Sequence, residues 1–353
     1  MQSKSTLRKV AFCTLLALGT APAPGHPVLW AAEVAPAAEA PAAGHPAGTQ
    51  YSGWRVAAIA EGSAILAPPQ SDLERRLFDQ VHDGRFGRFS LLEAGLIAGG
   101  IDDDEQLQRY CRRFDALAES LRASDKVQGE PRAQAQAIFE FLHRSVLCGG
   151  YCLQASDLRQ AFDHGRFNCV TATLLLNCLA ERFGLNAVAL QFPGHAMSRL
   201  ELPSETLDIE TTCPAWFTLL DGGHKAQRGG DSRLPESKAA KNGPPRLLTE
   251  VELVATIYYN RGVDLLAERR FAEAVAANGK AVRLDPQNAT AKGNYLATIN
   301  NWGIELGMAG QYEKAAELFR LGMTTDPTYD TFRVNYVRLF RQWNESRRKE
   351  AER

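Results

Sequence analysis

The period of the apolar residues changes along the chain, and the changes predict its elements. From Asp72 to Leu121 they recur at helical spacing, first as Leu73, Leu77 and Phe78 and then as Leu91, Leu92, Leu96 and Ile97. A helix from Asp104 to Leu121 carries Leu107, Tyr110, Phe114, Leu117 and Leu121 on one face, and another starts at Pro131 with Ala137, Ile138, Phe141 and Leu142 inward. A further helix opens after Asn168, a good N-cap, with Val170, Leu174, Leu175, Leu179 and Phe183 as its core face, and stops at Gly184. The stretches Asn186 to Phe192, Met197 to Leu202 and Thr206 to Thr212 are short, β-rich and bounded by turn residues. Helices first and strands last is the order of an α+β domain, expected over residues 71–221.

Residues 222–250 lose all periodicity and fill with Gly, Pro, Lys and Arg, which predicts a linker or surface loop. Beyond it the sequence repeats itself. Gly262, Phe271, Ala274, Ala281 and Pro286 return forty-one positions later as Gly303, Tyr312, Ala315, Gly322 and Pro327. The two blocks resemble the tetratricopeptide repeat, in which small residues let paired helices approach and Asp-Pro ends the second helix. Residues 251–350 are therefore expected to be all-α, closed by a capping helix that carries Phe332, Tyr336, Leu339, Phe340 and Trp343. Such repeats imply a protein or peptide partner.

The N-terminus predicts export. Lys4, Arg8 and Lys9 precede the apolar run from Val10 to Ala21, too short to span a bilayer, so residues 1–32 read as a signal peptide and the Ala/Pro/Gly-rich residues 33–70 as a flexible leader. The expected location is periplasmic or extracellular, with no membrane span once the signal is removed. A formal net charge of -1 supplies no basic excess for phosphate backbones, which excludes nucleic acid as an expected partner.

Six cysteines remain after the signal: Cys111, Cys148, Cys152, Cys169, Cys178 and Cys213. Cys148 and Cys152, with His143 and His164 nearby, form too sparse a set for zinc, and in an exported protein a disulfide or two buried thiols is the expected state. Cys213 is a candidate to staple its segment to the 148–152 loop. No metal and no cofactor is expected.

Candidate chemistry gathers between Phe167 and Pro214. Cys169 stands at a helix start, where the dipole and free backbone N–H groups favour a thiolate. His195 follows Pro193-Gly194 at the opening of a strand, and Asp208 and Glu210 lie on the next. A nucleophilic cysteine needs a base within reach and an acceptor to hold that base's tautomer, which this order supplies. Cysteine is also a common core residue, and the downstream His and acids are what set Cys169 apart from Cys178 on the same helix.

The order Cys-helix, His-strand, acid-strand resembles the bacterial transglutaminase-like (SirB1-type) family, whose members also carry tetratricopeptide repeats after the core. The resemblance covers about fifty residues, and more weakly the helices from Leu91 to Leu147. It implies a papain/transglutaminase-like core with N-terminal helices and a triad of Cys169, His195 and a carboxylate. The family's Asp-Pro-Thr segment falls on Glu210-Thr211-Thr212, so the register favours Glu210, with Asp208 as the alternative acid. The implied activity is that of a thiol peptidase, amidase or acyltransferase. The backbone N–H of Cys169 would be one oxyanion donor, with Tyr151 and Gln154 as candidates for a second. The alternative is a non-catalytic, protein-binding scaffold of the cell envelope that keeps the fold alone.

Overall fold

A computed structural model describes residues 71–124, 127–220 and 245–352. The expected signal peptide, the leader and most of the expected linker lie outside the described residues. What is described is a mixed helix-and-sheet protein, with small sheets in the first part and helices alone in the last.

Four helices come first: α1 (Asp72–Asp79), α2 (Leu91–Gly99), α3 (Asp104–Arg122) and α4 (Pro131–Ser145). The caps that the sequence supplies are formed. Ser71, Ser90 and Asp103 each accept a backbone N–H of the first turn, and Ser90 with Glu93 completes a capping box. A two-stranded parallel sheet follows, β1 (Gly150–Tyr151) beside β2 (Arg166–Phe167), with α5 (Leu158–His164) between them.

At the centre lies α6 (Cys169–Arg182). Its first twelve residues, Cys169 to Ala180, are all buried, as a helix walled on every side must be. It packs against α2, α4 and two strands of an antiparallel sheet. That sheet contains β3 (Asn186–Phe192), β4 (His195–Glu201), β5 (Thr206–Ile209) and β6 (Arg246–Leu248), in the order β5-β4-β3-β6.

Two sequence expectations change here. The strand expected over 206–212 ends at Ile209, so Glu210 lies past the strand and does not share a pleated face with Asp208. The segment expected as a linker over 222–250 contains β6, which pairs with β3 through Gln191↔Arg246, Leu190↔Leu247 and Ala189↔Leu248. Three residues are too few to show a period; Arg246, ion-paired to Asp285 and Glu252, and Leu248, buried against the core, hold them in place.

Five helices complete the chain: α7 (Glu250–Ala267), α8 (Phe271–Leu284), α9 (Ala289–Met308), α10 (Tyr312–Thr325) and α11 (Thr331–Ala351). The internal repeat is visible in the packing. Gly262 abuts Asn278 and Gly303 abuts Phe319, at equivalent positions, so closely that a Cβ would stand 2.3 Å and 2.7 Å from those side chains. A single hydrophobic cluster runs from Leu73 to Leu339 through both parts. Its seam is α7, packed on α2 and on α8. Among the described residues, no helix is long and apolar enough to cross a membrane.

Candidate active site

Asn168 fixes the start of α6 by four hydrogen bonds. Its Oδ1 accepts from the N–H groups of Val170 and Thr171, and its Nδ2 donates to Leu153 O and to Ser156 Oγ. Thr171 Oγ1 in turn accepts from Asn168 N. Cys169 is thereby held at the first helical position with its thiol at a cleft, and it is 7% exposed.

His195 arrives from the tight turn Pro193-Gly194. Gly194 takes a φ of 72°, which a type II turn requires of its third residue, and the turn pairs Phe192 with His195 in the β3–β4 register. Ser198 on the same strand donates to Asn177 Oδ1 of α6 at 2.7 Å, which locks strand to helix. The imidazole lies between Cys169, with which it interacts, and Glu210. Nε2 donates to Glu210 Oε2 at 2.7 Å, leaving Nδ1 as the ring nitrogen for the thiol.

Glu210 is the acid that meets His195. Its second oxygen, Oε1, accepts from Thr212 N at 3.1 Å and from Thr212 Oγ1 at 2.6 Å. The intervening Thr211 is anchored twice: its hydroxyl pairs with Thr173 of α6 at 3.0 Å, and its carbonyl accepts from Nε2 of buried His143 at 3.1 Å. Asp208 is committed elsewhere, in a two-point ion pair with Arg199 at 2.6 and 2.8 Å.

The electrostatics follow from this arrangement. Burial disfavours a charged His195, but its interactions with Cys169 and Glu210 and their negative charge outweigh it and raise the imidazole to about 10. Burial likewise opposes the charge on Glu210, and the bonds from His195 and Thr212 overcome it, so the carboxyl is held below its ordinary range. His143 is pushed down by burial, only partly offset by its bond to Thr211, and its Nδ1 has no partner among the described residues, which fits a neutral ring.

Tyr151 also stands close enough to Cys169 to interact with it. Burial, then the charge at Cys169, Glu210 and Cys152, pushes the phenol up to about 12, so it remains a donor at neutral pH. The parallel pairing of β1 with β2 places it there. That pairing requires a glycine at 149, where a Cβ would fall 2.0 Å from His164 O. Gln154, the other candidate donor, is exposed and accepts the Cys152 thiol at 3.9 Å instead.

Cys169 and His195 open onto a cavity of about 380 Å³. Sequence reasoning missed about a third of its wall. Arg246 of β6, Thr256, Tyr259 and Asn260 of α7, and Asn288 and Thr290 at the start of α9 all line it. The only sequence signal for this was the spacing 256, 259, 260, which puts three polar residues on one face of a helix. A larger cavity, about 560 Å³, borders Glu181, Asn186 and Glu250, and among the described residues neither cysteine nor histidine lines it.

The other cysteines are differently placed. Cys178 is wholly buried, which pushes its thiol well up, and Cys111 is pushed up to about 11 by burial and by Glu93 and Asp115. None of the six described cysteines is in a disulfide, so the expected staple from Cys213 to the 148–152 loop is not formed. Among the described residues no group of three or more His, Cys, Asp or Glu side chains is gathered to hold a metal ion. Comparison with family models, with curated proteins and with solved structures found no match.

Proposed function

We propose that the protein is a thiol-dependent acyl-transfer enzyme, a peptidase, amidase or acyltransferase, that works through Cys169, His195 and Glu210. The observation that carries this reading is the placement of His195 between Glu210, to which it hydrogen-bonds, and Cys169, with which it interacts, at a helix N-terminus and a cavity mouth. An imidazolium stabilised between two acceptors is the partner a thiolate needs. After attack of the sulfur on a substrate carbonyl, the same proton passes from His195 to the leaving amine, and the acyl group stays on Cys169 until water or a second amine takes it.

The oxyanion that forms on the way has two donors in reach of Cys169. One is the backbone N–H of Cys169, which heads the helix and has no partner within it. The other is the phenol of Tyr151, kept protonated by its surroundings. In this reading the fold is of the papain/transglutaminase type, as the resemblance to SirB1-type proteins implies. The helices α7 to α10 are then tetratricopeptide repeats that recruit a protein or peptide, and the protein acts outside the cytoplasm.

An alkylating activity-based probe, whose carboxylate group leaves as the thiolate forms a thioether, tests the reading. Incubation of the purified protein with a peptidyl acyloxymethyl ketone, followed by peptide mass mapping, is expected to place one adduct on Cys169. His195→Ala is expected to abolish it. An adduct spread over the exposed cysteines, equally in wild type and variant, points to the scaffold alternative.

A further inference from the structure

The C-terminal helices do more than sit beside the cleft; they form part of it. Thr256, Tyr259 and Asn260 lie on the face of α7 that is turned to the cavity, whereas Val254, Ile257 and Tyr258 are buried in the core. Asn288 and Thr290 extend this wall from the start of α9, and Gln191 of β3 stands among them.

The chemistry of this wall is specific. Apart from Cys169 and His195, the only ionisable side chains on it among the described residues are Arg246 and Tyr259. Arg246 is already committed to Asp285, at 2.8 Å, and to Glu252. Tyr259 bonds to Asn294, and burial pushes its phenol up, so it stays neutral. Gln191 and Asn260, by contrast, are half-buried and have no hydrogen-bond partner for their carboxamides among the described residues. Asn288 uses only its oxygen, as the cap of α9, and its NH2 group has no partner among the described residues.

Resting on the acyl-transfer reading above, we propose that Gln191 and Asn260 are substrate-recognising residues, and that the substrate is an uncharged peptide segment laid between the sheet and α7. A carboxamide offers one donor group and one acceptor, the same pair that a peptide unit presents, so each can pair with a backbone C=O and N–H. Phe192, Val170 and Leu153 supply apolar contact at the same cavity. A charged side chain entering it would lose water and meet no free counter-charge, which costs binding. The C-terminal helices thus select the substrate at the site itself.

The test compares three reagents that alkylate Cys169: acetyl-Ala-Ala-Gln chloromethyl ketone and its Glu and Lys counterparts. Each rate is divided by that of chloroacetamide, which is too small to touch the wall. The Gln reagent is expected to show a ratio about tenfold above both charged reagents, because their side chains lose water and meet no free counter-charge. Asn260→Ala and Gln191→Ala should each lower that ratio about fivefold, and the near-isosteric Asn260→Asp should shift preference to the Lys reagent. Thermal melting verifies that each variant is folded, and Asn260→Asp alone decides the matter if an alanine variant is not. Equal ratios for the three reagents, or ratios unmoved by Asn260→Asp while chloroacetamide still labels Cys169, overturn this proposal and leave the nucleophile standing. Failure of every reagent at Cys169 overturns both.

Discussion

Tyr258 donates its phenolic hydrogen to Glu74 at 2.8 Å, joining residues 184 positions apart in the chain. Lys280 of α8 completes the cluster with a 2.7 Å ion pair to the other oxygen of the same carboxylate. Tyr258 is fully buried, so a first helix of the N-terminal part and the first helices of the C-terminal part share one polar knot inside one apolar core.

The consequence is cooperative unfolding. Tyr258→Phe leaves one Glu74 oxygen without its buried donor and is expected to cost about 1–3 kcal/mol. Urea titration followed by far-UV circular dichroism and by tryptophan fluorescence should give coincident transitions in wild type, both shifted together in the variant. A separate, unshifted transition for the C-terminal helices would mean that they fold independently of the seam.

The two acids of the 206–212 segment should behave differently. Glu210→Gln removes the charge that orients His195, and alkylation of Cys169 should fall by an order of magnitude or more, about the range of a general-base contribution. Asp208→Asn breaks a partly exposed ion pair with Arg199, worth about 1 kcal/mol or less, and should leave the alkylation rate within about twofold. Loss of reactivity in Asp208→Asn with none in Glu210→Gln would transfer the orienting role to Asp208.

Stability should depend on pH through the same pair. His195 is raised from 6.5 to about 10, so its contribution is complete below 6.5 and is lost as pH rises through 10. Glu210 is lowered from 4.5, so its contribution is complete above 4.5 and is lost as pH falls through the depressed value. The melting-temperature gap between wild type and His195→Ala should therefore be widest between about pH 4.5 and 6.5 and close on both sides. A gap that widened steadily toward alkaline pH would contradict the pairing.

How far the sequence revealed this depends on range. Asn168 capping the helix of Cys169 and the Pro193-Gly194 turn are local, and local chemistry reads directly from neighbouring residues. The choice between Asp208 and Glu210 was open on strand geometry, because the end of β5 at Ile209 is set by Thr211 bonding to Thr173 and His143, which lie on other helices. Arg246 is paired with a residue 39 positions on and Tyr258 with one 184 positions back. No period or turn signal encodes such pairs, so the fourth strand, the α7 seam and the polar wall of the cleft became visible only in the folded chain. Tyr151 was one of two candidate donors; the β1–β2 pairing, not its spacing from Cys169, separates it from Gln154.

The most direct test of the account is the rate at which iodoacetamide alkylates each cysteine of the native protein at pH 6, read by sequential labelling and peptide mass mapping. Cys169, paired with a protonated His195, should react at least about tenfold faster than Cys178, whose thiol is buried and neutral. His195→Ala should erase that advantage without loss of cooperative melting. Equal rates for Cys169 and Cys178, unchanged by His195→Ala, would contradict the central claim that Cys169 is an activated nucleophile.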